Sequence, residues 1–156
     1  MRILLSLIAV LMVSALPNQA AAHCQIPCGI YDDARVFSEL KQHAQTIARS
    51  NKGLAEAKTM HDAARWTINK EEHAQKIQDT AQSYFLAQRV KPKAKDAKGY
   101  EDYVTSTTQL HAIIVASMKA KQSTSESAVT TLSAAIAAYE EHYWGMHGHD
   151  HKGAKK

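Results

Sequence analysis

The sequence predicts an all-α chain folded as an antiparallel up-and-down four-helix bundle. Three observations carry the prediction: apolar residues recur at helical spacing in four segments, short polar breaks separate them, and each amphipathic stripe needs a covering partner. Four antiparallel helices meet that need in a single layered architecture, which a sheet fold does not.

The first segment starts at Asp32 or Asp33, where a carboxylate suits the positive end of a helix, and carries Val36, Leu40, His43 or Ala44, and Ile47. Asn51-Lys52-Gly53 reads as its stop and turn. A second, longer segment starts near Leu54 and carries Met60, Ala64, Ile68, Ala74, Ile77, Ala81 and Tyr84 or Phe85; it reaches Val90 with room for a bend or break. Proline, glycine and dense charge in 91–99 mark a solvated connection. Periodicity returns through Tyr103, Leu110, Ile113, Ile114 and Met118, and Ser123-Thr124-Ser125-Glu126 supplies a turn and a cap. The last segment carries Ala128, Leu132, Ala135, Ile136 and Tyr139 and reaches Tyr143-Trp144, aromatics suited to the core or to a subunit contact.

The two ends of the chain read differently. Met1-Arg2, an apolar run over 3–16, the Pro17-Asn18 break and Ala20-Ala21-Ala22 form the positive, apolar, small-residue pattern of a removable secretory signal. The run is shorter than the roughly 20 apolar residues of a membrane span. The expected organisation is therefore a signal over 1–22, a metal-binding hook over 23–31, the bundle over 32–144 and a flexible His-rich tail over 145–156. Export to the periplasm or the extracellular space is expected, with no stable membrane association after processing. Formal charge is +4 with histidine neutral. That mildly basic balance biases a small anion toward the surface. Without zinc-finger, glycine-rich phosphate or single-stranded nucleic-acid motifs, no nucleic-acid partner is expected.

Cleavage after Ala22 would make His23 the first residue of His23-Cys24-Gln25-Ile26-Pro27-Cys28-Gly29-Ile30-Tyr31. On spacing alone, a Cys24–Cys28 disulfide is the simplest reading in an exported chain, although so small a loop restrains little chain entropy. The alternative needs both thiols reduced. An amino-terminal nitrogen, an imidazole, a backbone amide and two thiolates would then share one short hook, and thiolates stabilise an oxidised late transition metal. Pro27 restricts the return path, and Gly29 eases the departure toward the first helix. His147, His149 and His151 in the tail suit nickel, copper or zinc capture, or simply a polar terminus. His43, His61, His111 and His142 lack ligand spacing and read as packing or polar residues.

The initial His-Cys, the Pro-Cys-Gly return and Tyr31 closely resemble the hook of the nickel superoxide dismutase family, and the likeness extends through Lys70-Glu71-Glu72-His73-Ala74 and Tyr84-Phe85. The resemblance implies one nickel ion per subunit, bound by His23, Cys24 and Cys28 and cycling between Ni(II) and Ni(III). It implies superoxide as substrate, dioxygen and hydrogen peroxide as products, and a homohexamer of four-helix bundles. It makes Tyr31, Glu39 and His73 the candidate catalytic residues: Tyr31 beside the substrate entrance, Glu39 orienting the axial imidazole, and His73 at the position of that carboxylate's basic partner. Histidine is a shorter, titratable stand-in for an arginine there, which makes the link to Glu39 less secure. Gln25 departs from the acidic residue of other members but leaves the metal donors intact. Lys91, Lys93 and Lys95 would add to a general positive field, and Arg65 reads as subunit or fold support.

Overall fold

The computed structural model describes residues 32–148, so the signal, the hook and the end of the tail lie outside the described residues. The described chain comprises α1 (Asp33–Glu56), α2 (Met60–Asp79) continuing into a π-helical segment (Thr80–Arg89), α3 (Tyr100–Gln122) and α4 (Glu126–His147). Each helix packs on its sequence neighbour, and α4 returns against α1, closing the expected bundle.

Local chemistry sets most boundaries. The Asp32 carboxylate accepts the backbone N–H of Arg35 at 3.0 Å and caps α1. Val36, Phe37, Leu40, Ala44 and Ile47 form its buried stripe. The expected stop at Asn51-Lys52-Gly53 does not occur, and α1 runs to Glu56. Glycine ends helices when its freedom at positive φ is used; Gly53 instead supplies space. A Cβ there would lie 2.3 Å from Cε2 of Trp66, so the missing side chain admits the indole from α2. The second helix accordingly starts later than expected, at Met60, where the Thr59 hydroxyl accepts the Asp62 N–H at 3.0 Å.

The bend allowed in the second segment is the π-helical stretch. There hydrogen bonding lengthens by one residue, as in the 2.9 Å bond from the Val90 N–H to the Phe85 carbonyl. The wider turn sends Ala81, Tyr84 and Phe85 into the core, and Arg89 reaches the start of α1. Residues 90–99 form the solvated connection, and Gly99 at φ 84° starts α3. Ser125 caps α4 through the Ala128 N–H at 3.3 Å. That helix continues past 144 to His147 and ends at Gly148, φ 73°, whose N–H bonds the Trp144 carbonyl at 2.9 Å.

The aromatic residues of α4 belong to the core. Phe37 sits 4.7 Å from Phe85, 5.8 Å from Tyr139, 5.4 Å from Tyr143 and 5.8 Å from Trp144, centroid to centroid. Four residues read as stripe positions face outward instead: Ala64 is exposed, Met60 is 87% exposed, Ile68 57% and Met118 43%. Lys70 does the reverse. It is buried, and its ammonium donates to the Ala120 carbonyl at 3.3 Å, to the Lys121 carbonyl and to the Ser123 carbonyl at 3.5 Å. These carbonyls end α3 and have no partner within the helix, so the buried charge both satisfies them and opposes the negative end of the helix. Lys70→Met is expected to lower the unfolding free energy by about 1–3 kcal/mol. Urea denaturation checks this, and an unchanged midpoint would refute it.

Candidate metal centre and its supports

His23, Cys24, Cys28 and Tyr31 fall outside the described residues, whereas Glu39 and His73 are both described. The structure does not pair those two. Glu39 accepts a hydrogen bond from Arg35, one turn back on α1. His73 crosses from α2 to His43 on α1, with Nδ1 to Nδ1 at 2.8 Å and ring centroids 4.8 Å apart, edge to face. His73 instead meets His43, which lies one turn along α1 from Glu39. Glu39 still acts on the pair, because it is one turn from His43 and its charge favours protonated His43. His43 was read as a packing residue. Its i, i+4 spacing from Glu39 was the available signal, but the partner on α2 was not visible from sequence.

A bond between two ring nitrogens requires one to donate and the other to keep its lone pair, so double protonation breaks it. Burial holds His43 below the usual histidine range, helped by the charges of His73 and Lys76 and opposed by Glu39. Burial and Lys76 do the same to His73, opposed by Glu72. In the unfolded chain both return to about 6.5 and bind more protons than the folded pair. Their stabilisation is therefore complete above about pH 6.5 and is lost as pH falls through the lower folded values. The thermal midpoint should drop over that acid window, and His73→Gln should flatten the drop. Equal pH slopes for both proteins would contradict this.

A second polar cluster anchors the first turn of α1, immediately after the hook residues in sequence. Asp33 Oδ1 accepts the Tyr84 hydroxyl at 2.6 Å; Oδ2 accepts the Tyr143 hydroxyl at 2.7 Å and Arg89 Nη2 at 2.5 Å. Arg89 Nε also donates to the Tyr143 oxygen at 2.9 Å. Burial pushes the Asp33 carboxyl upward, but bonds from Tyr84 and Tyr143 and the charge and bonds of Arg89 outweigh it, leaving its pKa below the ordinary value. Burial and the same carboxylate push Tyr84 and Tyr143 far upward, so both remain neutral donors. The Tyr139 hydroxyl is buried beside this cluster with no hydrogen-bond partner among the described residues. Sequence reading treated Asp33 only as a helix start, because its partners lie 51 to 110 residues away.

Arg89 and Tyr143 also line a cleft of about 560 Å³ at this end of the bundle, together with Lys91, Lys93, Lys98 and His147. Lys95 does not line it. The cleft is basic and open, suited to collecting a small anion rather than enclosing a large ligand.

On donor chemistry the hook is the candidate metal centre. No group of three or more His, Cys, Asp or Glu side chains is placed to hold a metal among the described residues. With His23 as the first residue, His23, Cys24 and Cys28 would offer thiolate sulfur, imidazole and a terminal amine, a strongly donating set that would fit a redox-active nickel ion.

Comparisons with known proteins agree. The family model for nickel-containing superoxide dismutase matches residues 18–147, a span that takes in the hook and all four helices. Crystal structures of a nickel-containing superoxide dismutase in its oxidised state and after partial X-ray-induced reduction each share 22% identity, cover 80% of this chain and 98% of their own, and superpose with a TM-score of 0.65. A native nickel superoxide dismutase structure at 1.30 Å, with the same identity and coverage, superposes at 0.64. No curated protein matches the sequence. Over the greater part of its length, hook and bundle together, the chain belongs to the nickel-containing superoxide dismutase family, whose enzymes carry nickel and dismute superoxide.

Proposed function

We propose that the working enzyme begins at His23, after export and removal of residues 1–22, and that the His23 amine and ring, the Cys24 amide and the Cys24 and Cys28 thiolates would hold its nickel. The hook sequence at the predicted new terminus carries this reading. When bound, nickel would supply the one-electron Ni(III)/Ni(II) couple that the dismutation of superoxide to dioxygen and hydrogen peroxide requires.

The protein's own residues manage access, orientation and protons. The Tyr31 phenol orders water at the entrance and excludes larger molecules from the sulfurs. Glu39 orients the His23 ring through a carboxylate–imidazole hydrogen bond, which raises ligand basicity. Arg35 is the direct basic partner of the Glu39 carboxylate, and the His43–His73 pair lies one turn further along α1, so Glu39 and His73 act as positioning residues. Asp33, held by Tyr84, Tyr143 and Arg89, keeps the departure point of the hook in one place. Lys91, Lys93 and Lys98 draw the superoxide anion toward that end of the bundle.

Assembly is part of the same proposal. Met60, Ile68 and Trp66 lie exposed on α2, with Leu86, Val104 and Met118 exposed elsewhere. Such apolar side chains suit burial between subunits, here of a homohexamer, with Arg65 beside Trp66 and Ile68 at the contact. One combined measurement tests the reading: the first residue of the purified protein, its nickel content and its superoxide turnover. A His23 start with one nickel per subunit and rapid dismutation is expected. The same start and nickel content without turnover would defeat the proposed site.

A further inference from the structure

We propose that the cleft between the 90–99 connection, the start of α3 and the end of α4 binds a small dianionic oxyanion of the hydrogen phosphate type, which then competes with superoxide for the same positive charge. Binding needs only the cleft; the competition rests on the reading of that cleft as the collector of superoxide.

The fold sets the charge of the cleft. Two successive turns curl the connection, one from the Ala97 N–H to the Ala94 carbonyl at 2.9 Å and one from the Tyr100 N–H to the Ala97 carbonyl at 3.2 Å. In this arrangement Lys91, Lys93 and Lys98 line the cleft and Lys95 does not. Arg89 is neutralised by its ion pair with Asp33. Asp102 is the one carboxylate among the lining residues and offsets one lysine, which leaves two uncompensated positive charges. That excess favours a dianion over the single charge of superoxide.

Hydrogen-bond donors face the same space from two elements. Gly99, Asp102 and Tyr103, at the cap and first turn of α3, line the cleft, and no side chain caps that helix. The first N–H groups of a helix have no partner within it and carry the positive end of its dipole, so they suit an oxyanion. The other donor is independent of that helix end. Tyr139 of α4 lines the cleft with a side chain that is 0% exposed, and its hydroxyl is buried with no hydrogen-bond partner among the described residues. Burial, Tyr143 and Asp33 push its pKa upward, so it remains a neutral donor. A buried hydroxyl left without an acceptor costs stability, and an oxygen of a bound oxyanion supplies that acceptor. Met146 and the lysines are the flexible parts of the lining, able to move aside as the oxygen reaches it. Inorganic phosphate and the head of a small phosphomonoester share this chemistry.

The test is calorimetric titration of the full purified chain at about pH 8, where phosphate is largely dianionic. Ionic strength is held constant with chloride, and the probes are inorganic phosphate, methyl phosphate and nitrate. Saturable binding of one phosphate per subunit is expected, with none for the monoanion nitrate. Methyl phosphate binding as tightly as phosphate would assign the site to phosphomonoesters, and weaker binding would assign it to the free ion. Lys93→Gln should weaken phosphate roughly tenfold, as loss of a hydrogen bond to a charged group does. Lys95→Gln removes the same charge outside the cleft and should change it by no more than about twofold, because solvent and salt screen it. Tyr139→Phe should weaken phosphate roughly tenfold, yet leave the phosphate-free thermal midpoint unchanged or higher, because it deletes a hydroxyl without a partner. The site is overturned if phosphate binding does not saturate, if nitrate binds equally well, if Lys93→Gln and Lys95→Gln act alike, or if Tyr139→Phe binds as wild type does. At the same fixed ionic strength phosphate should also slow superoxide turnover, and less so in Lys93→Gln. Phosphate that binds as expected without slowing turnover would defeat the competition and the collector reading together, and leave the binding site standing.

Discussion

Mature protein carrying one additional residue ahead of His23 is expected to lose superoxide turnover by roughly 100-fold or more while its bundle remains intact. Amidation of the first nitrogen removes a metal donor and displaces the imidazole on the same residue. Disturbing groups that merely support a metal ligand costs about 10- to 100-fold, so loss of a ligand belongs beyond that range. Cys24→Ser and Cys28→Ser should behave alike, since a hydroxyl does not replace a thiolate in stabilising the oxidised metal. Superoxide decay, nickel content and helical circular dichroism measured on the same samples check the prediction. Retained turnover in the extended protein would place the metal elsewhere.

Asp33→Asn is expected to destabilise the bundle by about 2–3 kcal/mol, at the low end for breaking a buried ion pair because both partners keep some solvent contact. The side chains of Asp33 and Arg89 are 14% and 25% exposed. The substitution removes the charge that binds Arg89 and two phenols, and leaves Arg89 without its ionic partner. The pH signature follows from the sign of the shift. A carboxyl held below its ordinary pKa contributes stability that is present above about 3.9 and disappears as pH falls through the lower folded value. Asn has no such titration, so the gap between wild type and variant should close in strong acid. It should not close over the window in which the His43–His73 pair, held below the usual histidine range by burial, gains its protons. Denaturant midpoints across pH check both parts, and a gap that persists at the lowest pH would assign the loss to packing.

The legible parts of this chain were those governed by neighbours in sequence. The caps at Asp32 and Ser125, the charged break over 90–99 and most of the stripes depend on residues within a turn or two. The proposed hook is read from sequence on the same short-range footing, since its candidate donors His23, Cys24 and Cys28 lie within six consecutive residues. Where reading failed, a distant residue intervened. Gly53 looked like a helix end until the Trp66 indole required its space. Met60, Ile68 and Met118 have the hydrophobicity of core residues, yet the bundle turns them outward. The burial of Lys70 is likewise set at a distance, because the end of α3, 50 residues on, provides its carbonyls.

Four helical segments follow from periodicity along the chain, and the candidate ligand set of His23, Cys24 and Cys28 from spacing, because helical periodicity and chelation are both short-range properties. Only the tertiary structure decided that His43 intervenes between Glu39 and His73, that Asp33 is pinned by Tyr84, Arg89 and Tyr143, and that the start of α1 lies against the end of α4. Each depends on which helix faces align once the apolar stripes are buried. The π-helical turn shifts that alignment by one residue, and spacing along one segment does not reveal it.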